Sequence, residues 1–221
     1  HEIEVETPSP YSAVVRLANR ETIPNRDFIL KYRVAGAAIA DAVLTHASDN
    51  GGFFSLILQP PERISPKQIT PKEMIFVIDC SGSMMGFPID KAKKSMRLCI
   101  ENMNPGDTFN LVTFAGGLGY CFDKPVPNID RNRQKALDYL DNLEGGGGTE
   151  MLPAIRAALG DQNDPERLRI VCFMTDGFIG NEMEILDAIQ KNVATARVFA
   201  FGIGNSVNRF LVENMARMGR G

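Results

Sequence analysis

Two rhythms of apolar residues divide the chain. Up to about residue 60, short stretches rich in Val, Ile, Leu, Phe and Tyr occur at 12–17, 27–34, 40–45 and 52–58. Pro, Gly, Asn and Asp separate them, most densely in Ala47-Ser48-Asp49-Asn50-Gly51-Gly52. Short runs with that punctuation predict strands joined by hairpins. Pro60, Pro61, Pro66 and Pro71 follow and predict a connector that is neither helix nor central strand. From Glu73 onward, continuous apolar runs alternate with stretches of helical spacing.

In that second part strands are predicted at 74–79, 108–114, 169–175 and 197–202, with a short hairpin partner at 119–122. The run at 74–79 is apolar up to its final Asp79, as expected of a parallel strand with both of its faces covered. Helices are predicted at 88–103, 132–143, 150–159, 182–193 and 207–218. In the first of them Ile89, Ala92, Met96, Cys99, Ile100 and Met103 share one face. The expected fold is therefore α/β, a doubly wound and mostly parallel sheet flanked by helices and preceded by a small all-β segment. The expected division is a β-rich segment at 1–60, a proline-rich connector at 61–72 and an α/β domain at 73–221.

Doubly wound sheets bind ligands outside the carboxyl ends of their strands, and the polar residues with chemistry fall there. The first strand of the α/β part runs into Asp79-Cys80-Ser81-Gly82-Ser83, a DxSxS pattern. Four glycines at 145–148 lead to Thr149, just ahead of a helix, and a third strand ends in Thr175-Asp176-Gly177. Asp79, Ser81, Ser83, Thr149 and Asp176 thus offer two carboxylates and three hydroxyls. An all-oxygen set of that kind suits a hard cation, Mg²⁺ first, with Mn²⁺ and Ca²⁺ as substitutes. Alternation along an extended segment would aim Ser81 and Ser83 the same way and send Cys80 into the core. Gly82 is expected to let the backbone turn tightly beside the ion. Strand-end capping by Ser and Asp is the plainer alternative.

These five residues, in this order, resemble the metal-ion-dependent adhesion site of von Willebrand factor type A (vWA) domains, and the likeness runs from about Glu73 to the end. The resemblance implies direct coordination by Ser81 and Ser83. It implies that Thr149 binds directly or through water, that the aspartates act largely through water, and that a partner's Asp or Glu completes the sphere. Residues 25–32 and 52–61 resemble the segment before the vWA domain in inter-alpha-trypsin inhibitor heavy chains, where a VIT domain comes first. Residues 2–17 resemble the tail of that domain. The function implied is divalent-metal-dependent protein recognition or adhesion outside the cytoplasm. The alternative is a structural module whose metal only secures the loops, with recognition left to the β segment or to flanking regions. By resemblance the chain is a piece of a longer protein, lacking most of the VIT domain and the last part of the vWA sheet.

Composition narrows this further. Of 221 residues 44% are hydrophobic and 23% charged, and the net charge is −3, so no basic footprint for nucleic acid exists. No apolar run reaches the roughly 18–20 residues of a membrane span, and no signal peptide opens the chain. Cys80, Cys99, Cys121 and Cys172 form no CxxC pair; buried free thiols are expected of them. Catalysis is not expected. No GxxxxGK[ST] or GxSxG occurs, and of two histidines, His1 and His46, the latter is expected on an exposed hairpin. Met84 and Met85 are candidates for an apolar rim around a bound partner.

Overall fold

The structure is a computed structural model that describes residues 2–9, 12–19, 23, 27, 29, 40–49, 51–59, 69–160 and 164–221. The chain divides into two compact units, His1–Ser65 and Pro66–Gly221.

In the first unit β1 (Ile3–Ser9) pairs antiparallel with β2 (Ser12–Leu17). A second ribbon joins β3 (Ala40–Ser48) to β4 (Gly51–Gln59), in register from Ala40 opposite Gln59 to Ser48 opposite Gly51. The strand expected at 27–34, apart from Asp27 and Ile29, and residues 61–68 of the connector expected at 61–72 lie outside the described residues; Lys72, expected to end that connector, already belongs to the first strand of the second unit. Side chains of the second ribbon, Leu44, Phe53 and Phe54 among them, are largely exposed.

The second unit alternates strand and helix. In chain order it contains β5 (Lys72–Asp79), α1 (Phe87–Glu101), β6 (Thr108–Phe114), β7 (Leu118–Tyr120), β8 (Val126–Pro127) and α2 (Asp130–Asp141). Then come α3 (Met151–Leu159), β9 (Leu168–Thr175), α4 (Glu182–Asn192), β10 (Arg197–Gly202) and α5 (Arg209–Met218). The sheet runs β10-β9-β5-β6-β7, with β8 also on β6. The pairs β5–β6, β5–β9 and β9–β10 are parallel, and β7 and β8 are antiparallel. The doubly wound, mostly parallel sheet read from the sequence is the fold observed. Two strands went unpredicted, β1 of the first unit and β8 here, the latter two residues on a sheet edge, one of them proline.

Alternation along β5 sorts the core into two layers. Ile75 and Val77 face one side with Val171, Phe173 and Val198, and are covered by Ile155, Ile185, Ile189, Leu211 and Met215 of α3, α4 and α5. Phe76 and Ile78 face the other side with Leu111 and Cys172, covered by Met96, Ile100, Ala136 and Leu140 of α1 and α2. Each fully buried Ile, Leu, Phe or Met contributes on the order of 1.5–3 kcal/mol. The central strands therefore hold their places firmly. Chain order moves outward from β5 to β6 on one flank and returns to β9 on the other, so the direction of winding reverses between β5 and β9.

At the opposite, amino end of these two strands a charged pair is buried. Glu73 and Arg169 stand in register, and Arg169 Nε donates to Glu73 Oε2 at 2.5 Å, both side chains nearly enclosed. Arg169 Nη1 also donates to the Gly160 carbonyl at 2.7 Å. Removing one member of such a pair leaves the other charge in a poor solvent, at a cost of about 3–5 kcal/mol. Glu73→Ala, which removes the carboxylate that stands in register with the guanidinium, is expected to lower stability by about that much in urea unfolding. A loss under about 1 kcal/mol would mean that water reaches the pair.

Candidate functional site

At the carboxyl end of the sheet the reversal between β5 and β9 opens a crevice, and the polar residues singled out above stand around it. Asp79, last residue of β5, has no exposed surface. Its Oδ1 accepts from the Ser81 N–H at 2.8 Å and its Oδ2 from the Thr175 hydroxyl at 2.5 Å. Thr175 Oγ1 in turn accepts from the Gly177 N–H at 2.8 Å. Gly177 has φ +72 and a Cβ there would sit 3.2 Å from Asn208, so glycine is needed on both counts.

Ser81 is extended (φ −66, ψ 170), but Ser83 belongs to a single 3-10 turn, Gly82–Met84. Their hydroxyls nevertheless meet, Oγ to Oγ, at 3.2 Å. The convergence expected from extended alternation comes instead from that turn. Gly82 serves approach more than turning. Its N–H donates to the Gly147 carbonyl at 3.1 Å, and Gly146 N–H donates to Cys80 O at 2.8 Å. The glycine run thus lies against the DxSxS loop, and Glu150 N–H, donating to Ala115 O at 2.7 Å, fixes its far side.

Asp176 is buried, and its Oδ1 accepts from the Phe178 N–H at 3.0 Å. Its carbonyl accepts from Asn208 N–H at 2.9 Å, and Asn208 Oδ1 caps α5 by accepting from Leu211 N–H. Ser83 and Asp176 border one cleft of ≈ 360 Å³, together with Pro88, Phe178 and residues 204–206. Thr149 is half-buried on the neighbouring loop and is hydrogen-bonded to none of the other four.

The electrostatics of the crevice are unbalanced. Burial pushes the Asp79 carboxyl above the ordinary carboxylate range, hydrogen bonds from Ser81 and Thr175 offset part of this, and the charge of Asp176 adds to it. Among the described residues no ion pair engages Asp79 or Asp176. No group of three or more His, Cys, Asp or Glu side chains gathers there either; the cluster consists of two carboxylates and hydroxyls. Cys80 lies in the core, and burial, with the charge of Asp79, raises its thiol to about 11. It is protonated at neutral pH and takes no part in the crevice. Met84 is wholly buried, so of the two methionines expected at a rim only Met85, 63% exposed, is available.

Residues 72–221 match the profile of the von Willebrand factor type A domain. The chain belongs to the von Willebrand factor type A family. A vWA domain-containing protein of Dictyostelium discoideum is 37% identical over 150 residues, 67% of this chain and 16% of that protein. Inter alpha-trypsin inhibitor heavy chain 4 of mouse is 29% identical over 219 residues, 90% of this chain and 22% of the heavy chain. The chain thus spans less than a quarter of either relative. In fold it is similar to the manganese-loaded TRAP protein of Plasmodium vivax, with a TM-score of 0.58 and 17% identity over 81% of this chain and 67% of that one.

Within this vWA domain, Thr175 and Asn208 support the crevice and were not assigned a part from sequence. Thr175 directly precedes Asp176, but its partner Asp79 is 96 positions away, and no local pattern reports such a bond. Asn208 was legible as an N-cap, since Asn before an apolar helix start signals one.

Raised in the fold, the Asp79 pKa makes the folded chain hold its proton more tightly than the unfolded chain does. The cation-free domain therefore loses stability as pH rises from the ordinary carboxylate range through the raised value. Asp79→Asn, neutral throughout, is expected to unfold in EDTA at a higher midpoint than the native chain at neutral pH. The gap should close as the buffer approaches about pH 4. A gap independent of pH would show that ionisation of Asp79 is not its cause.

Proposed function

We propose that this domain recognises a protein partner through a bound divalent cation held by Asp79, Ser81, Ser83, Thr149 and Asp176. The observation that carries the reading is the wholly buried Asp79 carboxylate, facing hydroxyls and a second carboxylate with no cationic side chain of the described residues paired with it. A buried charge needs a partner. The donors around it are all oxygen, the chemistry of Mg²⁺, with Mn²⁺ and Ca²⁺ as substitutes. A divalent ion bound there supplies positive charge and an open coordination position for an Asp or Glu carboxylate of the partner.

Each residue has its task in this reading. Ser81 and Ser83, already within 3.2 Å of each other, present their hydroxyls together as direct ligands. Asp79 and Asp176 hold negative charge close by and orient water. Thr149 stands on the glycine loop docked against residues 80–82, so its distance to the others is set by how that loop packs. The fold likeness to a protein solved with manganese supports the choice of a divalent ion. The match to the mouse heavy chain over 90% of this chain supports a VIT-plus-vWA arrangement and a place outside the cytoplasm. Binding rather than turnover is the role proposed. A second reading, in which the ion only secures the loops and recognition lies in the β segment, is favoured by the exposed Leu44, Phe53 and Phe54 of the β3–β4 ribbon.

Thermal unfolding of the chain in EDTA and in excess Mg²⁺, Mn²⁺ or Ca²⁺ tests the metal. Ligand at about 100 times its dissociation constant adds about 2.7 kcal/mol, a midpoint shift of about 5–10 °C for a domain of this size. The shift is expected in the native chain and absent in Asp79→Asn. The same shift in both would remove Asp79 from the site, and none in either would overturn the metal reading.

A further inference from the structure

The cleft beside the crevice restricts what it takes. Among the described residues its lining includes one charged side chain, Asp176, and no Lys or Arg. Asp79 and Asp176 already match the charge of a divalent ion. An incoming carboxylate then leaves one negative charge in excess, and a phosphate dianion leaves two, with no cationic side chain in the cleft to absorb either. Carboxylate is thereby preferred over phosphate, and its attraction to the nearly balanced site is modest.

Affinity must then come from the walls. Phe178 is 73% exposed, yet its backbone is fixed, because its N–H donates to Asp176 Oδ1. The ring is held out beside the acid rather than folded onto the core. Pro88 faces the same cleft, and Asn205 and Ser206 add exposed polar groups. Met85 and Phe87, 63% and 60% exposed, leave the chain just after the turn that carries Ser83. A carboxylate site bordered by apolar side chains and flanked by a few polar ones has the make-up of a protein-binding patch, not of a site for a small hydrophilic acid.

Resting on the metal reading above, we propose that the cleft selects a partner segment in which an Asp or Glu stands next to a large apolar residue. The carboxylate goes to the end formed by Ser83 and Asp176, and the apolar side chain packs against Phe178 and Pro88.

The test titrates four probes into the full chain, in saturating Mg²⁺ and in EDTA, followed by NMR chemical shifts. The probes are Ac-Phe-Asp-Phe-NH2, Ac-Ser-Asp-Ser-NH2, Ac-Phe-Asn-Phe-NH2 and acetate. In Mg²⁺ the first is expected to bind at least about tenfold tighter than each of the others, because the serine peptide and acetate lack the phenyl ring and the asparagine peptide lacks the carboxylate, and in EDTA to lose that advantage. In Phe178→Ser, which removes a side chain outside the core, the advantage over Ac-Ser-Asp-Ser-NH2 is expected to fall to within about threefold. The Mg²⁺-induced midpoint shift is read in parallel on both chains. If that shift is intact but the two Asp peptides, or acetate, bind alike, the apolar selection is overturned and the metal site stands. If Phe178→Ser leaves the preference unchanged, Phe178 is not the wall. If the native chain shows no shift with any cation, the metal reading falls and the selection with it.

Discussion

Asp79 ends the central strand with a carboxylate that has no exposed surface, and the loops at that end of the sheet are organised around it. A charge in that position has to be met by donors or by a counter-ion. Two donors are supplied, the Ser81 N–H and the Thr175 hydroxyl. The second ties β5 to β9 across the very point where the winding of the sheet reverses, and Gly177 extends the chain of bonds into the following loop. What the donors leave uncompensated is net negative charge, increased by Asp176. The arrangement is complete as a hydrogen-bonded framework and incomplete as an electrostatic one.

The two ends of the β5–β9 pair make a physical contrast. At the amino end Glu73 has its counter-charge in Arg169, in register and within the same pair of strands. At the carboxyl end Asp79 has none among the described residues. The first end is closed on itself and serves stability. Only the second retains a need that something outside the chain can fill. This difference, rather than the presence of acidic residues, separates a structural charge from a binding one.

The fold was legible because the strands of the second unit are buried on both faces. Met74 to Ile78 and Ile170 to Met174 read as unbroken apolar runs, and the helices between them carry apolar faces at regular spacing. That Asp79 and Asp176 stand at neighbouring strand ends was legible for a related reason, since strand ends can be located once strands are. Less accessible was whatever depends on contacts distant in sequence. The Thr175–Asp79 bond leaves no trace in the local pattern. The 3-10 turn at Ser83 was mistaken for extended chain because DxSxS has the spacing of a strand. Gly82 looked like a turn residue, whereas its neighbour Gly147 explains it: the two loops touch backbone to backbone. Met84 and Met85, adjacent and identical, part ways because only the first reaches the core.

The parallel order of the sheet has a consequence in time as well as in space. Residues of the crevice come from the ends of β5 and β9, from the glycine loop between them and from the start of α5, and Asp79 waits for a donor 96 positions downstream. During synthesis the carboxylate leaves the ribosome long before Thr175, Asp176 or Asn208 exists. Pairings so distant in sequence form late and slowly. No nascent or nicked piece that ends before Asn208 holds the assembled crevice. In the proposed reading a partner of this site meets a finished domain, and the capacity to bind arrives together with the completed fold.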